Sequence, residues 1–165
     1  MSASAEVVVV GAGERPPDEW TGSLFLAGPT PRDPGVASWR PAAMAEIRSQ
    51  WTGRGRLVVF VPEPSDGRPW PPFERQAQWE HDGLNAAGVI LFWIPRDVRT
   101  LPGFTTNVEF GLFARSGRVV LGCPPDCPNP ERNRYLIWTA GKFGIPVRET
   151  LPDTIATALA MIHGT

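Results

Sequence analysis

A short segment, GFTTNVEFG at residues 103–111, carries the acid that is best placed to do chemistry. Thr106 and Glu109 have the spacing of a capping box, in which the threonine caps a helix and the glutamate reaches back to it. The dipole of a helix favours the ionised form of a carboxylate in its first turn. Because attack on an anomeric carbon requires an ionised, fixed carboxylate, Glu109 is a candidate nucleophile as well as a structural cap.

Two further features accompany this acid. Asp82 lies in the sequence WEHDGL, within a segment whose apolar residues recur at helical spacing, and a solvated helix face would explain it without any function. The loop Gly28-Pro29-Thr30 follows an apolar run, and its glycine lets backbone N–H groups approach a ligand. An ordinary Gly-Pro turn is the alternative interpretation of that loop.

Other chemical patterns are incomplete. The run VVVVGAGERPP at residues 7–17 lacks the third glycine of a dinucleotide fingerprint, and Pro16 and Pro17 interrupt the place where a helix should begin. Cys123 and Cys127 make only half of a closed zinc site, and a disulfide across so short a loop would be strained. Two loop thiols in a reducing compartment are the simpler interpretation, so no cofactor and no metal is predicted.

Composition sets the class of protein. The 165 residues suit one domain, 1–165, with 16 Lys and Arg against 17 Asp and Glu. This balance argues against a nucleic-acid partner, which requires a concentrated basic surface. No apolar run approaches the roughly 20 residues of a membrane span, and the N-terminal flank is acidic rather than basic. A cytoplasmic location is therefore predicted, with no membrane partner.

Short apolar runs alternate with amphipathic segments, as in repeated βα units around a mainly parallel sheet. Strands are predicted at 7–10, 24–27, 57–61, 89–94, 118–122 and 145–148. Helices are predicted from a Ser38 cap to about 50, at 74–87, 106–117 and 133–142, and from Pro152 onward after a Thr150 cap. The prediction is an α/β domain with five or six strands and helices on both faces, binding ligands beyond the carboxyl ends of its strands.

Three elements in order resemble the nucleoside 2-deoxyribosyltransferase superfamily. They are LFLAGP at residues 24–29, Asp82 in a helix that leads to a strand, and NVEFG at residues 107–111. Their order and spacing agree with that family from residue 23 to about 135. The segments SWR at 38–40 and VPEP at 61–64 resemble a bacterial branch of it whose substrates are poorly defined.

The resemblance implies a flavodoxin-like doubly wound sheet and a nucleoside or nucleotide as the small-molecule partner. Glu109 would displace the base from C1′ and form a covalent glycosyl-enzyme intermediate, which a second base or water then resolves. Asp82 would orient the sugar or assist proton transfer, and Gly28 and Pro29 would lie along the ligand. Members of the family are usually homo-oligomers in which a neighbour completes the pocket.

The chain also departs from the family pattern. Residues 101–107 contain no acid, whereas the transferases carry an aspartate there that protonates the leaving base, and Asp97 is displaced from that place. Phe25 replaces an aromatic hydroxyl, and Gly88 stands where many members have aspartate. The hydrolase branch, which acts on nucleoside 5′-monophosphates, also lacks the upstream acid and uses small hydroxyl residues there. The residues expected to bind substrate are Gly28, Pro29, Thr30, Phe25, Thr105, Thr106 and Asn107.

Three hypotheses follow. The first is an enzyme that cleaves or transfers an N-glycosidic bond through Glu109. The second is a nucleotide-binding module or sensor without turnover, which the missing upstream acid motivates. In the third, Glu109 is only a helix cap and Asp82 only a surface residue.

Overall fold

The structure, a computed structural model, describes residues 4–164. Within that range six strands form one sheet: β1 (Glu6–Gly11), β2 (Gly22–Ala27), β3 (Arg56–Val61), β4 (Val89–Trp93), β5 (Val119–Gly122) and β6 (Val147–Arg148). The helices are α1 (Arg40–Gln50), α2 (Phe73–Ala86), α3 (Phe104–Phe113), α4 (Arg134–Phe143) and α5 (Leu151–His163), with a 3-10 turn at Pro130–Asn133. The predicted domain limits extend to residues 1–3 and 165, which lie outside the described range.

The strand order is β1-β3-β2-β4-β5-β6, and each described pairing is parallel. Without β1, the remaining five strands lie in the order β3-β2-β4-β5-β6, which is the flavodoxin-like order. Strand β1 adds an edge strand by pairing with β3. Strands β2 to β5 are buried almost throughout, which explains their unbroken apolar sequences. The predicted α/β, doubly wound fold is therefore confirmed.

The core has two layers because alternate residues of a strand point to opposite faces of the sheet. Phe25 packs on the side of α2, α3 and α4, in a cluster with Phe60 and Phe110. Leu24, its neighbour in β2, packs on the side of α1 and α5 with Ile155. Among residues 4–164 no helix is long and apolar enough to cross a bilayer.

The sheet has its topological switch point between β2 and β4. The chain leaves β2 toward β3 on one side and then returns across β2 to form β4 on the other side. Open α/β sheets bind ligands at such a switch point, beyond the carboxyl ends of the strands. The 28–30 loop follows β2 and therefore lies at this point.

Two helix starts differ from the prediction. The capping box is wrong: α3 begins after Gly103, which has a left-handed φ of 66°, and the helix has no side-chain cap. Thr106 instead lies buried in the first turn. Ser38 is not the residue before α1, although its Oγ accepts a 3.2 Å bond from the N–H of Arg40. The Thr150 cap of α5 is confirmed by the bond it accepts from the N–H of Asp153.

Candidate active site

The loop after β2 lies tightly against the end of β4. Gly28 has φ 151°, and a Cβ there would overlap the carbonyl oxygen of Trp93, so glycine is required by both backbone conformation and space. Pro29 is buried, and its carbonyl accepts a 3.1 Å bond from the indole N–H of Trp39. The loop is therefore held in one conformation at the switch point.

A buried arginine fixes the start of α3, which borders this loop. Arg96, which is 2% exposed, donates to Oδ1 of Asn133 at 2.9 Å and to Oδ1 of Asn107 at 2.7 Å. It also donates to the backbone oxygen of Pro102. A Cβ on Gly103 would lie 3.5 Å from Cβ of Pro29, so the first turn of α3 borders the 28–30 loop.

Glu109 is the sixth residue of α3, in its second turn. Its half-buried carboxyl makes no hydrogen bond or ion pair with any residue in the 4–164 range. Burial raises the pKa of Glu109 to about 8, with a further contribution from the negative charge of Glu80, while Arg40 acts in the opposite direction. The helix dipole was expected to keep this group ionised, but it acts mainly within the first turn, and burial prevails.

Glu80 is the second acid of this site, and sequence analysis missed it. It precedes the buried Gly83 and Leu84 by one helical turn, so it belongs to the inward face of α2. Its Oε1 accepts a 2.7 Å bond from Gln76. Burial raises the pKa of Glu80, opposed by the Gln76 bond and by the charges of Arg40 and Arg32.

A close approach of α2 to the sheet explains why Glu80 reaches this place. A Cβ on Gly83 would lie 2.9 Å from the ring of Phe25, so glycine lets the helix backbone come nearer to β2 than another residue would. The spacing of residues 80, 83, 84 and 87 was the signal that could have identified Glu80. The same close packing leaves Phe25 fully buried, in contact with Phe60 and Trp79 rather than open to a ligand.

Asp82, the acid singled out from the sequence, lies elsewhere. Its side chain is exposed and accepts a 2.8 Å bond from Gln78 on the same helix. Residues 80 and 82 of a helix point roughly 200° apart, so Asp82 faces away from the side that carries Glu80. The structure does not bring Asp82 to Glu109.

The other residues expected to bind substrate are divided between exposed and buried positions. Thr105 and Asn107 are exposed in the first turn of α3, whereas Thr106 is only 3% exposed. Thr30 is half-buried, and its Oγ1 accepts a 2.8 Å bond from Arg40. The structure therefore places the 28–30 loop and the first turn of α3 side by side.

Two hollows are found away from these acids. One of about 240 Å³ lies between Trp20, Ser23 and Gly88 at the amino edge of the sheet. Another of about 480 Å³ lies between Trp93, Asp126 and Glu149 at its carboxyl edge. Neither borders Glu109.

The cysteines do not form part of the acid site. Both are free thiols, and burial raises the pKa of Cys123 to about 12, so this thiol stays protonated at neutral pH. Within the described chain, no group of three or more His, Cys, Asp or Glu side chains is arranged to hold a metal.

Comparisons with known proteins point to one family. A family model described as nucleoside 2-deoxyribosyltransferase like matches residues 21–127, which is more than half of the chain. A conserved protein from Enterococcus faecalis V583 has a similar crystal structure, with a TM-score of 0.56 and 14% sequence identity. The match covers 87% of this chain and 98% of that one and concerns the fold alone. No curated protein matches the sequence.

Proposed function

The chain belongs to the nucleoside 2-deoxyribosyltransferase-like family, and from this premise we propose that it cleaves or transfers the N-glycosidic bond of a nucleoside or nucleoside 5′-monophosphate. Glu109 is the proposed nucleophile. The observation that carries the proposal is a pair of half-buried acids: the negative charge of Glu80 helps to raise the pKa of Glu109, and the charge of Arg40 acts on both. A cytoplasmic location belongs to the same proposal.

Two acids that repel each other supply both groups that the reaction needs. Because the pKa of Glu109 is about 8, the empty site carries a proton at neutral pH. In the proposed reaction Glu80 holds this proton when substrate is bound, and Glu109 attacks C1′ as a carboxylate. The C1′–N bond breaks, its electron pair stays with the base, and the base takes the proton from Glu80.

The second half of the reaction restores both acids. The glycosyl ester on Glu109 is attacked at C1′ by water or by a second base. Glu80, now a carboxylate, removes the proton of the attacking group, and Glu109 leaves as a carboxylate. In this scheme Glu80 does the work of the acid that is missing from residues 101–107.

A second copy of the chain is the proposed partner. Phe104, Val108 and Leu112 recur every four residues on the outer side of α3 and are 78%, 62% and 70% exposed. Such an apolar strip is unusual on a free surface. It lies on the helix that carries Glu109, so a second copy seated there would contact the element that holds the proposed nucleophile. Leu112→Glu should lower the mass measured by light scattering to that of a monomer, and an unchanged mass would exclude this surface as the contact.

The activity is tested by incubation with a panel of nucleosides and 5′-monophosphates, followed by chromatography for released base. The wild type should release base and Glu109→Gln, a change that keeps the shape of the side chain, should release none. A second free base in the mixture distinguishes the two reactions, because only a transferase makes a new nucleoside. Equal release by Glu109→Gln would contradict the assignment.

A nucleotide-binding module without turnover is the alternative. The raised pKa of Glu109 favours it, since a protonated carboxyl donates a hydrogen bond to a sugar hydroxyl but does not attack carbon. A 5′-monophosphate that raises the melting temperature and remains intact after long incubation would support this function.

A further inference from the structure

Arg40, the first residue of α1, is a fully buried charged side chain at the carboxyl edge. Only 2% of its surface is exposed. Its Nε donates to the carbonyl of Leu26 at 3.1 Å, and one terminal nitrogen donates to the carbonyl of Gly28 at 2.8 Å. The other donates to Oγ1 of Thr30 at 2.8 Å and to Glu63 at 2.9 Å.

These bonds connect the end of β2 to the end of β3. Three of the acceptors belong to β2 and the loop that follows it, and the fourth is Glu63, just beyond β3. The carboxylate of Glu63 also accepts a 2.6 Å bond from Ser38. A buried guanidinium needs each of these partners, because an unpaired charge away from water is costly. The conformation of the 28–30 loop is therefore tied to the position of Arg40.

Arg40 is also the cation that acts on both acids of the site. Its charge opposes the rise in the pKa of Glu109 and of Glu80, and Arg32 acts on Glu80 as well. Burial lowers the pKa of Arg40 itself, and the charge and hydrogen bond of Glu63 counter that effect. The charged groups around the guanidinium are Glu63 after β3, Glu80 on α2 and Glu109 on α3.

We propose that Arg40 is a positioning residue of this site: it holds the 28–30 loop in the conformation that receives the substrate and balances the charge of the acid pair. The proposal rests on the proposed function for its substrate, but the charge balance does not depend on turnover. Arg40 touches no reacting atom in this account. It acts through Thr30, Gly28 and the two glutamates.

The charge balance is tested by following the ¹³C carboxyl shift of Glu109 with pH, assigned by its loss in Glu109→Gln. Arg40→Met removes the cation, so the midpoint of the Glu109 titration should move to higher pH. Glu63→Gln keeps one acceptor oxygen for Arg40 and Ser38 but removes the negative charge that compensates Arg40, so the midpoint of the Glu109 titration should move to lower pH. Damage to the fold would not displace the two variants in opposite directions. Absence of a shift, or shifts of the same sign, would overturn the charge role.

The loop is tested with Arg40→Lys, which keeps the charge but loses the fork that bonds several acceptors at once. With the panel member from which the wild type releases base, KM should rise roughly tenfold, about the factor that one lost hydrogen bond costs. The midpoint of Glu109 should stay near that of the wild type. A KM that does not rise would overturn the positioning role.

Arg118→Met is the matched control. Arg118 is a half-buried arginine that donates to the carbonyls of Leu84 and Ala87, near the amino end of β5. Its loss should change neither KM nor the midpoint of Glu109. If no panel member releases base, the proposed function fails, while the opposite shifts in Arg40→Met and Glu63→Gln still decide the charge role. If Arg40→Met does not fold, Arg40→Lys still decides the positioning role, and a lower midpoint in Glu63→Gln decides the charge role when the urea unfolding of that variant matches the wild type.

Discussion

Glu109→Gln should change how the stability of the protein depends on pH. The pKa of Glu109 is 4.5 in the unfolded reference and about 8 in the fold. A group whose pKa is raised by folding contributes stability that is complete below the unfolded value and is lost as pH rises through the folded value. The difference of about 3.5 units corresponds to at most about 5 kcal/mol, at 1.36 kcal/mol per unit.

Urea unfolding between pH 5 and pH 9 measures this effect. Glutamine resembles the protonated carboxyl and does not titrate. The free energy of unfolding of the wild type should therefore fall as pH rises because of Glu109, and that of the variant should not fall for this reason. Relative to the wild type, the variant should gain several kcal/mol across this range. Any constant cost of the substitution shifts the whole difference and leaves its slope unchanged.

Glu74→Gln is the control for this measurement. Glu74 is an exposed glutamate of α2 and is solvated both in the fold and in the unfolded chain. The free energy of unfolding of Glu74→Gln should change with pH in the same way as that of the wild type. A difference between Glu109→Gln and the wild type that stays constant from pH 5 to pH 9 would refute the argument that burial holds a proton on Glu109.

Three further predictions concern α2. Glu80→Gln should slow base release by roughly 10²–10⁴-fold, the contribution of a general acid, which steady-state rates check. It should also lower the pKa of Glu109, because one negative charge is lost, and a pH titration checks this. Asp82→Asn should leave the rate of base release as it is, because its side chain faces solvent; a large loss of rate would restore Asp82 to the mechanism. Gly83→Ala should lower the free energy of unfolding by about 1–3 kcal/mol, because the new methyl would lie 2.9 Å from the ring of Phe25; urea unfolding measures the loss.

The sequence predicts the sheet well because its strands are buried on both faces. Runs such as the one at residues 57–61 are uniformly apolar, and only a covered parallel strand stabilises such a run. Helix starts were harder to predict. Gly103 precedes α3 with a left-handed backbone, a conformation that the side-chain pattern Thr106-x-x-Glu109 does not reveal.

The acids of the site show a second limit of sequence patterns. Glu80 and Asp82 are two residues apart on one helix, and their types alone do not tell which one faces inward. The close approach of α2 to the sheet at Gly83 determines which acid faces inward, because only the side of the helix that carries Glu80 meets the sheet. Burial then determines the protonation of Glu109, a tertiary effect that the local argument from the helix dipole did not include.

Arg40 shows the same limit for a basic residue. In the sequence it stands beside Trp39 at a helix start, where arginines are usually solvated. Its burial follows from four acceptors contributed by β2, its loop and the end of β3, which are distant in sequence. No local pattern carries that information.

The covalent role of Glu109 is tested most directly by mass spectrometry of the protein quenched in acid during turnover. A mass gain equal to one glycosyl group is expected on the peptide that contains residue 109, and no gain is expected in Glu109→Gln. Base release by a wild-type protein that shows no added mass at any quench time, or a sugar attached to a different peptide, would contradict it.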